Sequence, residues 1–242
     1  IPVVALNYGD LARNREVLYA SLRLMARILG TEERAEQVVA FFETAIRDLH
    51  RRTADVPEGD KKSCYVGGIA FKGPHGLRST EPNYPPFLFV NARNLAHDPG
   101  GPLGELTHAV VAKEKILQWD PEYLFIDLST LQAGTGSGAL HELRTDPAYR
   151  SLRAVERGNV FGVFPYNWYT QNFGSTLANA YFIGTVLYPD RFAGVEPVER
   201  AEEIYRFLVG EAVFERMNSM FGNNAFRRLG PDQPATGPGR GD

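Results

Sequence analysis

The chain has 242 residues, 26 basic against 29 acidic, a net charge of −3, and is 43% hydrophobic and 23% charged. That near balance gives no global field for nucleic acid, and the apolar content suits a globular protein with a substantial core. No segment reaches the roughly 18 consecutive apolar residues of a membrane span, and a single cysteine, Cys64, excludes an intramolecular disulfide and a Cys-based zinc cluster.

Ile1 to Leu6 reads as a short strand ended by Asn7-Tyr8-Gly9, mid-protein in character and unlike a leader peptide. A helix is expected from Asp10, a capping residue, to Ile28, with Gly30 as its stop. Thr31 is placed to cap a second helix running to about Ala54. Its stripe of Ala35, Val38, Val39, Phe42, Ile46 and Leu49 repeats every three or four residues. At ~1.5 Å per residue this helix spans on the order of 35 Å, enough to bridge two lobes.

Beyond Asp60 strands and helices alternate. Cys64 to Phe71 and Phe87 to Val90 read as strands, Val111 to Gln118 as a helix and Tyr123 to Leu128 (YLFIDL) as a buried strand. A helix near Leu140, a strand over Asn159 to Phe164 and a helix from Gly174 to Leu187 follow. Amphipathic helices over Pro197 to Leu208 and Glu211 to Met220 close the fold. The order implies an α/β fold with a largely parallel sheet flanked by helices. From Gly230 the tail GPDQPATGPGRGD has the Pro/Gly content of a disordered segment.

The densest chemistry lies between Gly67 and Ala96. A strand there runs into a loop bearing Lys72, His75, Arg78, Ser79, Glu81 and Tyr84, broken by Gly73, Pro74, Gly76 and Pro82. Such loops at the carboxyl edge of a parallel sheet present binding groups, although an ordinary solvated loop has the same composition. The five histidines show no H-E-x-x-H pattern and no helical pair, which argues against a dedicated zinc site. Gly134 to Ala139 fits G-x-G-x-x-A but stands away from its strand and lacks an acidic ribose partner, so dinucleotide binding is set aside. A hydrolase reading of His75, Ser79 and Glu81 lacks a nucleophile elbow and takes all three groups from one loop.

Four stretches in order carry a family likeness: IPVVALNYG; LGTEERAEQVVAFFETAIRDL (Leu29 to Leu49); VAKEKILQWDPEYLFID (Val111 to Asp127); and DPAYRSLRAVERGNVFGVFPYNWY (Asp146 to Tyr169). With them the chain resembles the C-terminal two-thirds of the periplasmic solute-binding proteins of iron–siderophore, haem and vitamin B12 ABC importers. The resemblance implies a two-lobed α/β protein without catalysis and without a cofactor, its ligand held between lobes. Residues 1–30 would be a remnant of the N-terminal lobe, 31–56 the connecting helix, 57–229 the C-terminal lobe and 230–242 a disordered tail. A chain so trimmed, with one cleft wall uncovered, is open to dimerisation.

By the same resemblance, Lys72, His75, Arg78, Ser79 and Tyr84 from one loop, and Tyr166, Asn167, Trp168 and Tyr169 from another, would face the ligand. Arg78 and Lys72 suit an anionic complex, the aromatic faces suit a chelate, and His75, Tyr84 or Tyr166 could reach a ferric ion. Packing against the following helix is the competing role for the aromatics. Glu114 would dock on the membrane permease, though a first-turn glutamate also simply complements a helix dipole. A ferric chelate, or alternatively an oxyanion such as molybdate or tungstate, is the implied ligand; a small α/β enzyme is the remaining alternative. The implied location is periplasmic or extracytoplasmic, at the membrane through the permease.

Overall fold

The computed structural model describes residues 3–104, 106–134, 136–168 and 170–230. Val3 to Gly9 has no regular structure, and Val3, Val4 and Leu6 are exposed, so the strand expected at the start is absent over its described residues. The segment meets no sheet edge there, and an extended chain without a ladder leaves its backbone groups to water.

Asp10 does not start the first helix. Its Oδ1 accepts from the backbone N–H groups of Ala12 (2.7 Å), Arg13 (2.6 Å) and Asn14 (3.1 Å), a tight turn that postpones α1 to Arg15–Leu29. Gly30 ends α1 in the left-handed conformation, as its position implied. Thr31 is the N-cap residue of α2 (Glu32–Thr53), although its side chain makes no capping bond. The apolar stripe of α2 is buried at Ala35, Val39, Phe42, Ala45, Ile46 and Leu49.

The strand expected over Cys64 to Phe71 is confined to β1 (Ser63–Gly67). Next come β2 (Ser79–Thr80) and α3 (Pro85–Phe89). Phe87 to Val90, expected as a strand, therefore begins in a helix. Pro85 and Pro86 open it where no N–H is needed and φ is already helical, and a four-residue apolar run cannot by itself distinguish a buried strand from a buried helix. Then follow β3 (Arg93–Asn94), β4 (Ala109–Val110), α4 (Lys113–Trp119) and β5 (Tyr123–Asp127). After β5 lie α5 (Ala139–Thr145), α6 (Pro147–Arg150), α7 (Arg153–Glu156) and β6 (Val160–Val163). The chain continues through α8 (Phe173–Leu187), α9 (Pro197–Val209) and α10 (Phe214–Met220). Residues 231–242, expected to be disordered, lie outside the described residues.

Four strands pair in the order β3-β1-β5-β6, every pairing parallel, and β2 pairs antiparallel with β4 in a separate ribbon. The sheet is buried on both faces, which is why its strands read as continuous apolar runs. Cys64, Val66, Phe125, Phe161 and Val163 pack with α2, α3 and α8 on one side. Tyr65, Leu124, Ile126 and Val160 pack with Ile116, Leu140 and Leu143 on the other. Helix α8 is buried almost all round, and its Gly184 accommodates Phe192: a Cβ there would stand 2.3 Å from the ring. The parallel sheet brings the ends of β1, β5 and β6 to one edge.

Candidate functional site

At that edge β1 gives way to Gly68, whose positive φ of 78° turns the chain past Thr130 and Asp127 into Ala70, Phe71 and Lys72. β5 ends on Asp127, and β6 runs on into Phe164, Pro165 and Tyr166. Between these ends lies an open cavity of about 390 Å³. Tyr8 to Arg13 form one wall, Phe71, Lys72 and His108 another, and Tyr166, Asn167 and Trp168 a third, with Glu81 and Asn83 at the base.

The base is a buried polar cluster. Tyr166 donates its hydroxyl hydrogen to Glu81 Oε2 at 2.5 Å, and both residues are almost fully buried. Burial raises the Glu81 carboxyl to about 8, with the Asp127 and Asp10 charges adding to the rise against the Tyr166 hydrogen bond. Burial likewise raises Asp127 to about 7; its Oδ1 accepts from Ser129 N–H at 2.9 Å, while Oδ2 is buried without a partner. Asn179 of α8 completes the cluster. Its side chain both accepts from Phe164 N–H (3.0 Å) and donates to Phe164 C=O (2.8 Å), and its amide also donates to the Tyr84 hydroxyl at 3.4 Å.

The loop after β6 is tied down in the same way. Asn172 donates its N–H to Tyr166 C=O at 2.6 Å, and its side chain caps α8 at Ser175 N–H (3.0 Å). The histidine wall has defined proton positions. The Ser79 hydroxyl donates to Ile69 C=O at 2.6 Å, so the 2.9 Å contact with His108 Nε2 requires the histidine to donate. His75 Nε2 donates to Phe71 C=O at 2.7 Å. The two imidazoles lie 6.0 Å apart, and Phe71 stacks on His108 at 4.3 Å. Partial burial, and secondarily the neighbouring His75, hold His108 below its ordinary value, so it is neutral near pH 7.

Of the residues that sequence singled out, Lys72, Tyr166, Asn167 and Trp168 line the cavity. His75 and Ser79 stand against His108, which lines it. Arg78 is occupied elsewhere: its Nε donates to Val111 C=O at 2.9 Å and fastens β2 to the end of β4. Tyr84 is fully buried with its hydroxyl toward Asn179. Burial holds the Tyr84 and Tyr166 phenols well above their ordinary value, which opposes their use as phenolate metal ligands. Tyr169 lies outside the described residues. Glu114 is exposed in the first turn of α4. Among the described residues no three His, Cys, Asp or Glu side chains gather as a metal site. The hydrolase grouping does not form around Ser79, whose hydroxyl is given to Ile69 and whose histidine is His108, not His75.

Phe71, His108, Asp127 and Asn179 were not picked out from sequence. Asp127 had a visible signal, a lone acid closing an apolar strand, whereas His108 and Asn179 had none.

The chain matches the family described as periplasmic binding protein over residues 1–165. It belongs to that family. The family is one of solute-binding proteins, not of enzymes. A relative, the iron-uptake system-binding protein of Bacillus subtilis, is 23% identical over 150 residues, covering 58% of this chain and 43% of that protein. The chain thus spans less than half the length of that relative. A periplasmic solute-binding protein from Veillonella parvula shares the fold with a TM-score of 0.65 at 18% identity, over 94% of this chain and 67% of its own. The molybdate-binding protein MolA of Haemophilus influenzae, solved with molybdate, gives a TM-score of 0.66 at 16% identity, over 88% and 66%. These family members share the α/β architecture with the mostly parallel sheet. No helix among the described residues is long and apolar enough to cross a membrane.

Proposed function

We propose that the chain supplies the ligand cavity of an extracytoplasmic solute-binding component of an ABC importer, and that its ligand is an anionic metal complex of ferric-chelate size. The observation that carries this reading is the cavity itself. It sits at the carboxyl edge of a parallel sheet, and its lining combines the aromatic side chains of Tyr8, Phe71 and Trp168 with the cations of Arg13 and Lys72. A volume of about 390 Å³ falls in the range of small-molecule sites and far exceeds one tetrahedral oxyanion.

In this reading Lys72, Tyr166, Asn167 and Trp168 touch the ligand, while His75, Ser79, Arg78 and Tyr84 hold the loops that present them. Residues 31–56 would connect two lobes, with 57–229 forming the C-terminal one and 1–30 belonging with the other. The exposed Glu114 would meet the permease, and Glu114→Lys should lower the ATPase stimulation of a reconstituted transporter.

The test is a tryptophan-fluorescence titration with a ferric tris-catecholate, haem, cobalamin and molybdate. The chain has two tryptophans. Trp119 packs 6.1 Å from the Tyr65 ring in the core, so Trp119→Phe leaves Trp168 as the reporter at the cavity. Saturable quenching by a ferric chelate, lost in Trp168→Phe, supports the reading. Quenching by molybdate alone moves the assignment to an oxyanion, and silence toward all four overturns it.

A further inference from the structure

Glu81 is an unexpected residue for the base of an anion-binding cavity, because an ionised carboxylate there would repel the ligand. The hydrogen bonding resolves the conflict. Oε2 accepts from the Tyr166 hydroxyl, and among the described residues Oε1 makes no hydrogen bond. Glu81 is only 5% exposed yet forms part of the cavity wall. A second acid, Asp127, is wholly buried beside this cluster with an unpartnered oxygen of its own. Two buried carboxyls in one low-dielectric cluster oppose each other's ionisation.

We propose that Glu81 serves the cavity as a protonated carboxylic acid, its Oε1–H donating to an oxygen of the anionic ligand, so that ligand affinity is lost when this proton leaves. The inference rests on the proposed function and names the group that would make the site proton-linked. The groups facing Glu81 agree with it. Tyr166 from the loop after β6 and Tyr84 from the turn before α3 are neutral phenols, and Asp127 from β5 and Asp10 from the first turn oppose a further negative charge. Arg13, Lys72 and the neutral His108 stand elsewhere on the cavity wall, where the cations offset the ligand's charge. Burial places the loss of the Glu81 proton at about 8. A neutral buried acid that donates a hydrogen bond to a developing or resident anion is a known use of such a group.

Two measurements test this. The first is infrared difference spectroscopy of the ligand-free protein at about pH 6.5 and about pH 9.5, for the carbonyl stretch of a protonated carboxylic acid. A band present at the lower pH, diminished at the higher and removed by Glu81→Gln is expected. The second is binding of molybdate, which keeps its charge across the same window, and of a ferric tris-catecholate whose three rings share one hexadentate backbone, so that the complex stays intact at the lower pH. Whichever binds should lose about tenfold or more in affinity from the lower pH to the higher, the size of one lost charge-assisted hydrogen bond. Glu81→Gln, whose amide donates at every pH, should flatten that profile. No Glu81-dependent band, or a wild-type affinity that is constant or rises with pH, overturns the inference, and neither requires the variant to fold. If neither anion binds at any pH, the anionic-ligand reading falls and this donor with it. Binding that ignores pH removes only the donor.

Discussion

Tyr166 and Glu81 are eighty-five residues apart in the chain and 2.5 Å apart in the fold, joined by a hydroxyl-to-carboxyl hydrogen bond at the base of the cavity. The bond links the loop after β6 to the segment between β2 and α3. The two loops that sequence marked as ligand-facing are therefore one structure, closed from beneath.

This pairing has a consequence for stability against pH. Glu81 is raised from its ordinary 4.5 to about 8, so the folded protein keeps a proton that the unfolded chain has already released. Stability must then fall as pH rises from about 4.5 to about 8 and level off above. Asp127, raised from 3.8 to about 7, adds a fall of the same sign. Glu81→Gln removes the first contribution and leaves the second. The variant's melting temperature should exceed the wild type's by several degrees at about pH 8.5, on the order of 1–3 kcal/mol, and by much less at about pH 5. Parallel melting curves across that range would show that Glu81 does not carry the proton.

Asn179 holds both backbone groups of Phe164, where β6 hands over to the cavity loop. Asn179→Leu would leave a buried N–H and a buried C=O without partners, each costing about 1–3 kcal/mol. A loss of roughly 2–5 kcal/mol in urea unfolding is expected. Ligand affinity should weaken as well, because Tyr166 to Trp168 depend on the same anchor. A loss below about 1 kcal/mol would mean that water or a relaxed backbone replaces the side chain.

His108 offers a spectroscopic check on the cavity wall. Its Nε2 hydrogen is committed to Ser79, so nitrogen NMR should report the Nε2–H tautomer. Its titration should lie below the ordinary 6.5, because partial burial and then His75 disfavour the charged ring. Phe71→Ala uncovers the ring that Phe71 stacks on and should move the titration up. An unmoved titration would show that the stacking contributes nothing to the burial.

The fold was legible in sequence where a pattern was long. The α2 stripe and the buried β5 and β6 runs lie where periodicity placed them, because burial on both sheet faces leaves a continuous apolar run. Short segments were not legible. Phe87 to Val90 has strand composition, but two prolines ahead of it open a helical turn, and Val3 to Leu6 has strand composition with no ladder to join. At the site, the loops could be found because glycine, proline and charge cluster in them. The roles within them could not. Arg78 and Tyr84 look like ligand groups in sequence, and only the fold shows one guanidinium held by Val111 and one phenol buried against Asn179. Asn179 and His108 act through contacts 15 and 29 residues away in the chain, which local pattern does not encode.

The cavity's walls differ in how they are built. The base and the Tyr166 wall hang from three paired strands and a buried asparagine, but Tyr8 to Arg13 belongs to a stretch with no strand pairing. That stretch is fastened by the Asp10 turn, by Ser21 donating to Asn7 C=O and by the long Arg13 reach to Gly104 C=O. Amides from Val3 to Gly9 should therefore exchange with solvent soonest, while those of β1, β5 and β6 exchange last. The cavity is thus divided mechanically. In the proposed function, Lys72 and Trp168 would meet the ligand from the held side and Tyr8 and Arg13 from the side that can give, so substitutions in the Tyr8 wall should alter the rates of entry and exit as well as affinity.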